Sequence, residues 1–361
     1  MVLSIYRDEM QRNASERITN RYWKSPSSLA IHERVTDPQN YSLAMSGDVV
    51  NAHPVYLRPM LTRVTGDLDV ATLRIVFAVY AGYFSLTWYF RDLPIWVAAP
   101  LGAAWLAWYG SLQHETIHGH PTSSRRLNAA LASAPLSLWI PYRIYRSTHL
   151  KHHRHAGRHL TEVSRDPESF FWPPGTLTGS GPLLRLIYLG NCTLVGRLLW
   201  GPLLAVLRFW SAEMRKAVAG HRGRRILWAR HAIGVALVLS WTTAVCHIPV
   251  AVYVLLFVYP SISLSHLRSF VEHRADLEPS FRTRAVEAHP VLALLFLNNN
   301  LHIAHHAHPA LPWHQLPKAW NEMRASAVES GLVFRGGYRQ VAKQYMFHRV
   351  MPVEHPGKDR D

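Results

Sequence analysis

Residues 93–118 read LPIWVAAPLGAAWLAWYGSLQHETIH. The stretch 93–113 carries no charge, and a helix that crosses a bilayer needs about 20 mostly apolar residues. The text then changes abruptly to His114-Glu115-Thr116-Ile117-His118. On a helix, positions i and i+4 share a face, so the run ends with two imidazoles side by side. An apolar helix that terminates in paired imidazoles sets both the fold class and the chemistry to look for.

Upstream, only Arg91-Asp92 separates this run from a second uncharged one, IVFAVYAGYFSLTWYF, at 75–90. Downstream come 226–246, interrupted near its start by Arg230 and His231, and 248–264, with His247 alone between them. Each pair reads as a helical hairpin. The expected fold is all-α: an integral membrane protein with four transmembrane helices in two hairpins. Trp88, Trp96, Trp105, Trp108, Trp228 and Trp241 lie within these runs, several near an end where an aromatic belt would place them. Almost all Lys and Arg fall outside the hairpin tips, so the positive-inside rule puts both termini and residues 114–225 in the cytoplasm. Uncharged runs this close together are hard to bury in a soluble core.

The rest of the composition narrows the class. Of 361 residues, 48% are hydrophobic, enough to bury a core and exclude disorder. Two cysteines, Cys192 and Cys246, exclude a disulfide scaffold, and without a CxxC pair there is no zinc ribbon. Lys and Arg number 39 against 23 Asp and Glu, a net +16. No helix-turn-helix, zinc-finger or RNA-binding signature accompanies that charge, so it is assigned to an anionic membrane face or an acidic partner rather than nucleic acid. Residues 1–24 are studded with charge and do not read as a signal peptide. The expected organisation is a polar cytoplasmic N-terminal region at 1–70, a membrane domain at 71–310 and a cytoplasmic tail at 311–361. Segments 127–142 and 182–210, apolar but interrupted, read either as helices lying in the interface plane or as ordinary packing helices. The Pro/Gly cluster at 172–182 reads as a loop.

Two more histidine clusters follow: His149-Leu-Lys-His152-His153 and His302-Ile-Ala-His305-His306. Positions i, i+3 and i+4 share a helical face, and the hairpin layout puts all three clusters on one side of the bilayer. Eight imidazoles exceed what one ion can hold, so two ions are implied. Imidazole suits Zn, Cu, Fe and Ni.

The boxes HETIH, HLKHH and HIAHH, in this order and with this hairpin layout, resemble those of the membrane fatty-acid desaturase superfamily. The flanking His118-Gly-His-Pro121 and Arg165-Asp-Pro-Glu-Ser169 resemble its bacterial members. The resemblance implies a four-helix membrane anchor, a cytoplasmic helical cap carrying a histidine-rich di-iron metal site, and O₂-dependent removal of two hydrogens from a fatty-acyl or related alkyl chain. It also implies electrons from a ferredoxin, rubredoxin or cytochrome b5 type donor, and a bacterial inner-membrane location. It implies iron ligands at His114, His118, His149, His152, His153, His302, His305 and His306. A further ligand is expected after the fourth span, where His273 is favoured over His266 by its spacing to His302. Metal-bound imidazoles usually pass their second N–H to a carboxylate or carbonyl. Asp166, Glu168, Glu272, Asn299 and Asn300 are the expected acceptors, while His120, His155, His159 and His308 are expected outside the ligand set. The substrate chain is expected in an apolar tunnel lined by the helices and by 127–142.

Other readings compete. Box one also fits the HExxH pattern of a zinc metalloprotease, which leaves the two HxxHH boxes unexplained. A metal transporter would hold its ionisable groups at mid-bilayer, whereas these boxes lie past the helix ends. Within the superfamily, lipid or carotenoid hydroxylases and ketolases, and desaturases of small amino-acid-derived metabolites, share the boxes.

Overall fold

A computed structural model describes residues 68–356, apart from Gly157, His221 and Leu277. The expected N-terminal region therefore lies outside the described residues except for its last three. Four helices are long and apolar enough to cross a membrane: α1 (Val70–Trp88), α2 (Ile95–Ile117), and further along the chain Gly223–Val245 and Val250–Ser269. Asp69 starts α1 by accepting the Thr72 N–H (3.0 Å) and hydroxyl (2.6 Å).

Helix α2 is the hub, with both α1 and Val250–Ser269 packed along it. Two glycines permit the close approach, as small residues do between membrane helices. A Cβ at Gly82 would overlap the Trp105 ring, and one at Gly102 would overlap Phe257. Phe257 cannot yield, because it is itself fully buried beside Tyr253, Leu106 and Val79.

After α2 comes a short helix, α3 (Arg125–Ala132). The segment 127–142, apolar but interrupted and expected as an interfacial or packing helix, forms α3 only in this first part. Pro135 and Pro141 cannot continue it, and Leu138 takes a positive φ of 63°. Tyrosine hydroxyls from the spans receive the carbonyls the helix no longer satisfies: Tyr80 donates to Leu131 O (2.6 Å), Tyr109 to Ala132 O (2.7 Å) and Tyr253 to Leu136 O (2.7 Å).

Next come α4 (Tyr142–His155), α5 (Pro182–Asn191), α6 (Leu194–Leu199) and α7 (Gly201–Val218). The 182–210 stretch is thus three helices, reset where the Thr193 hydroxyl caps Gly196 N–H and where Pro202 opens α7. In the Pro/Gly cluster, turns precede Pro182 and Gly175 adopts φ 82°. The spanning-length helices α8 (Gly223–Val245) and α9 (Val250–Ser269) follow. Only 11% of α8's most apolar window is buried against protein. Its far end leans on α1, where Trp241 donates to the Thr87 hydroxyl (3.0 Å).

Beyond α9, β1 (Ala285–Val286) pairs in parallel with β2 (Val333–Phe334), Ala285 opposite Val333. Four helices complete this part: α10 (Pro290–Leu295), α11 (His302–Ala307), α12 (Leu316–Glu329) and α13 (Gly337–Tyr345). Phe270, Val286, Phe296, Phe334 and Val341 form a core under the end of α9. Glu287 anchors α12 through a pair to Arg324 (Nη2–Oε2, 3.0 Å).

Gly102→Leu is expected to destabilise the α2–α9 contact by about 1–3 kcal/mol, the usual cost of overpacking a filled core. Thermal unfolding of the detergent-solubilised protein, followed by size-exclusion chromatography, measures it. An unchanged melting temperature would contradict the contact.

Candidate metal centre

The three histidine boxes stand on three helices whose ends meet. His114 is in the last turn of α2 and His118 is its C-cap; α4 carries His149, His152 and His153; α11 carries His302, His305 and His306. Their ring nitrogens fall into two groups, each with all its donor atoms within 4.8 Å of one another. One group is His114, His118, His149, His153 and His305, and the other is His152, His273, His302 and His306. The two groups abut. His153 stacks on His306 with ring centroids 4.5 Å apart, and His305 lies 5.5 Å from His302.

The HxxHH spacing explains the partition. At about 100° per residue, positions i and i+4 lie about 40° apart, while i+3 lies about 60° to the other side. On α4, His149 and His153 therefore face the first group and His152 the second. On α11 the assignment reverses, with His302 and His306 facing the second group and His305 the first. Each helix thus supplies both groups. His273, in the stretch after α9, joins the second group, its Nε2 3.0 Å from that of His302. His266 does not; its Nδ1 lies 3.4 Å from the Arg197 carbonyl.

Acceptors fix the outer nitrogens. His149 Nδ1 donates to Glu168 Oε2 (3.1 Å), His152 Nδ1 to Asp166 Oδ1 (2.9 Å) and His302 Nδ1 to Asn299 Oδ1 (3.1 Å). Asp166 also accepts the Thr161 and Glu168 N–H groups, both at 2.9 Å, and so organises the loop after α4. Glu272 lies further off, with Oε2 3.7 Å from His302 Nε2 and Oε1 3.7 Å from Arg268 Nε. Asn300 turns away from the rings and donates to the Val286 carbonyl (2.8 Å), which ties down β1 instead.

With their Nδ1 protons committed outward, His149 and His302 present bare Nε2 lone pairs. His149 Nε2 lies 3.0 Å from His118 Nε2 and 3.1 Å from His153 Nε2; His302 Nε2 is equally close to His273 and His306. One in-plane lone pair accepts one proton well, not two. Two nitrogens held about 2.1 Å from a single ion at right angles would be about 3.0 Å apart. Both the donor set and its spacing therefore fit a metal ion in each group.

Protonation also favours ligation. Burial, reinforced by neighbouring imidazoles, holds His118, His153, His302, His305 and His306 well below the ordinary histidine range, and holds His273 at about 3. Burial would also lower His152, but the Asp166 hydrogen bond and the Glu168 charge outweigh it and raise it. Burial alone would raise Asp166; the hydrogen bond and charge of His152, with the two N–H donors, bring it down to about 2.

Glu115, the general base of an HExxH protease, is in neither group. It accepts the Trp313 N–H (2.9 Å) and clusters with Asp69 and His120 on another side of α2. His120 in turn faces the Ala310 carbonyl (3.1 Å) and Asp69 (3.5 Å). This buried polar cluster links the start of α1 to the 310–314 stretch. The sequence shows it only as a flanking histidine and a lone carboxylate.

Four membrane-length helices and nine converging imidazoles define a helical protein with two adjoining histidine groups that could each hold a metal ion. The chain matches the fatty acid desaturase family over residues 91–338, and it belongs to that family. No curated protein matches it.

The lowered histidines give a signed pH dependence. Each binds a proton less readily in the folded state than in the unfolded chain, whose histidines titrate near ~6.5. Metal-free protein therefore loses stability as pH falls through about 6.5. His152 has the opposite sign, its contribution being present below that value and lost as pH rises through its raised one, but it is one ring against six. Asp166 acts in a separate window, stabilising above about pH 4 and losing this as pH falls toward about 2. The melting temperature of metal-free protein is expected to drop between pH 7.5 and 5.5, and His302→Phe should flatten the slope. A flat profile in the parent protein would remove the buried neutral rings from the account.

Proposed function

We propose that this protein is an O₂-dependent membrane desaturase that holds two irons and introduces a double bond into an alkyl chain. One observation carries the reading: two abutting clusters of imidazoles, three of them anchored at their outer nitrogens, in a chain of the fatty acid desaturase family. Imidazole donors alone admit several transition metals, and the family membership favours iron. When bound, an iron pair supplies the activation of O₂ needed to break an unactivated C–H bond. The reaction balances with an external reductant: the substrate loses two hydrogens as a C=C bond forms, and O₂ takes those two electrons and two more. With two further protons, two waters form.

The protein's own part is positional. His114, His118, His149, His153 and His305 would hold one iron, and His152, His273, His302 and His306 the other. Asp166, Glu168 and Asn299 keep Nδ1 protonated on His152, His149 and His302, so that Nε2 faces inward. The basic excess supports a cytoplasmic site and both termini on that side. Phe77, Trp96, Ile233, Leu237 and Leu255 point outward from the spans, as hydrocarbon-facing residues would. Arg143, Lys151 and Arg154 are exposed on α4, the helix that brings three imidazoles to the centre. That face suits an acidic electron donor.

Two measurements test this. Purified anaerobically, the parent protein should contain two irons per chain. His153→Ala and His305→Ala should each lose iron and abolish product while eluting as the same monodisperse species. Full activity in either variant, or zinc as the sole metal, would falsify the proposal. Electron delivery should also slow as salt rises, since exposed charges are screened over about 8–10 Å at physiological ionic strength; a salt-independent rate would count against donor docking at α4.

A further inference from the structure

A cavity of about 550 Å³, a volume typical of small-molecule sites, lies against the first imidazole group, with His114, Glu168 and Asn299 in its wall. Arg197 of α6 also lines it. In sequence Arg197 is merely an interruption of an apolar stretch. In the fold it is buried, 3% exposed. Its Nε donates to the Asn191 carbonyl (3.0 Å), and the guanidinium lies over Phe170 (4.6 Å) and Phe270 (5.8 Å).

What Arg197 lacks is an anion. The other cations in the same wall are accommodated. Lys216 pairs with Glu213 (2.9 Å), Arg268 faces Glu272 (3.7 Å), and Arg208 donates to the Ser169 and Phe171 carbonyls. Among the described residues no carboxylate lies within 4.0 Å of Arg197. Burial brings its guanidinium down to about 10, so it remains charged at neutral pH. A buried cation without a counter-ion is costly, and two phenyl faces compensate it only in part. A guanidinium in this setting is suited to a planar oxyanion. Trp139, Ile140, Leu204 and Phe209 supply apolar wall for a carbon chain in the same cavity.

We infer that the substrate binds as a free carboxylate, with the Arg197 guanidinium as its receptor and its alkyl portion directed toward His114. An ester or thioester would leave the guanidinium facing a neutral carbonyl. The inference names the substrate class of the site assigned above and rests on that reading.

The test uses the full-length protein, purified in detergent, with its iron quantified. Equilibrium dialysis measures binding of butyrate, hexanoate and octanoate, and competition by methyl hexanoate, hexanamide and hexyl phosphate. At least one carboxylate should bind at one per chain, with the ester and amide competing at least tenfold more weakly. Arg197→Gln should weaken binding at least tenfold, and Arg197→Lys should retain part of it. Because the ligand series is run on the parent protein, the result does not depend on either variant folding. An ester that competes as well as the acid, or Arg197→Gln with parental affinity, overturns the inference. Hexyl phosphate binding more tightly than every carboxylate overturns the choice of head group. Iron-loaded protein that binds no carboxylate sinks the inference alone and leaves the di-iron reading standing. Arg197-dependent carboxylate binding in protein without iron supports the pocket and sinks the di-iron reading instead.

Discussion

Imidazole lone pairs repel one another at 3 Å, and this protein places several of them at that distance in a largely buried site. The surrounding structure serves to hold that arrangement. The outer nitrogens of His152, His149 and His302 are committed to Asp166, Glu168 and Asn299, so these three rings are held against turning. The α2 helix delivers His114 and His118 at the end of the most contacted span, and its glycine contacts with α1 and α9 fix where that end lies. A helix bundle closed by interior side chains thus becomes, at one end, a rigid frame for ligands that would otherwise splay apart.

The parts of this arrangement legible in the sequence are those governed by local geometry. Apolar run length gave four helices of spanning size, and i, i+3, i+4 spacing gave helical boxes with shared faces. Asp166 and Glu168 could be picked out because they sit in a short polar stretch just after box two. Which group each histidine joins was not legible, because it depends on how α4 and α11 face each other. Asn299 and Asn300 are neighbours with opposite fates. The chain takes positive φ at Leu297 and Asn298, and after that turn one amide meets His302 while the next meets the Val286 carbonyl.

Long-range satisfaction of backbone groups was equally hidden. Nothing near Leu131–Leu136 announces that three tyrosines, on three different spans, will take its carbonyls. The interrupted apolar stretch 127–142 therefore reads as an interfacial or packing helix and folds as a short helix plus a pinned loop. Arg197 shows the same limit, since its lack of a counter-ion is a property of the fold around it and not of α6. Both cases concern polar groups removed from water, where the identity of the partner decides the outcome.

Because α4 and α11 each contribute to both imidazole groups, the two seats share their walls. An ion held in one seat would fix the rotation of both helices, so that ordering would already be complete for a second ion. In the two-ion reading proposed above, occupancy of one seat would favour the other through shared rigidity, a coupling that follows from the HxxHH repeat itself. A centre built this way would be biased toward being empty or full, with half-loaded molecules rare.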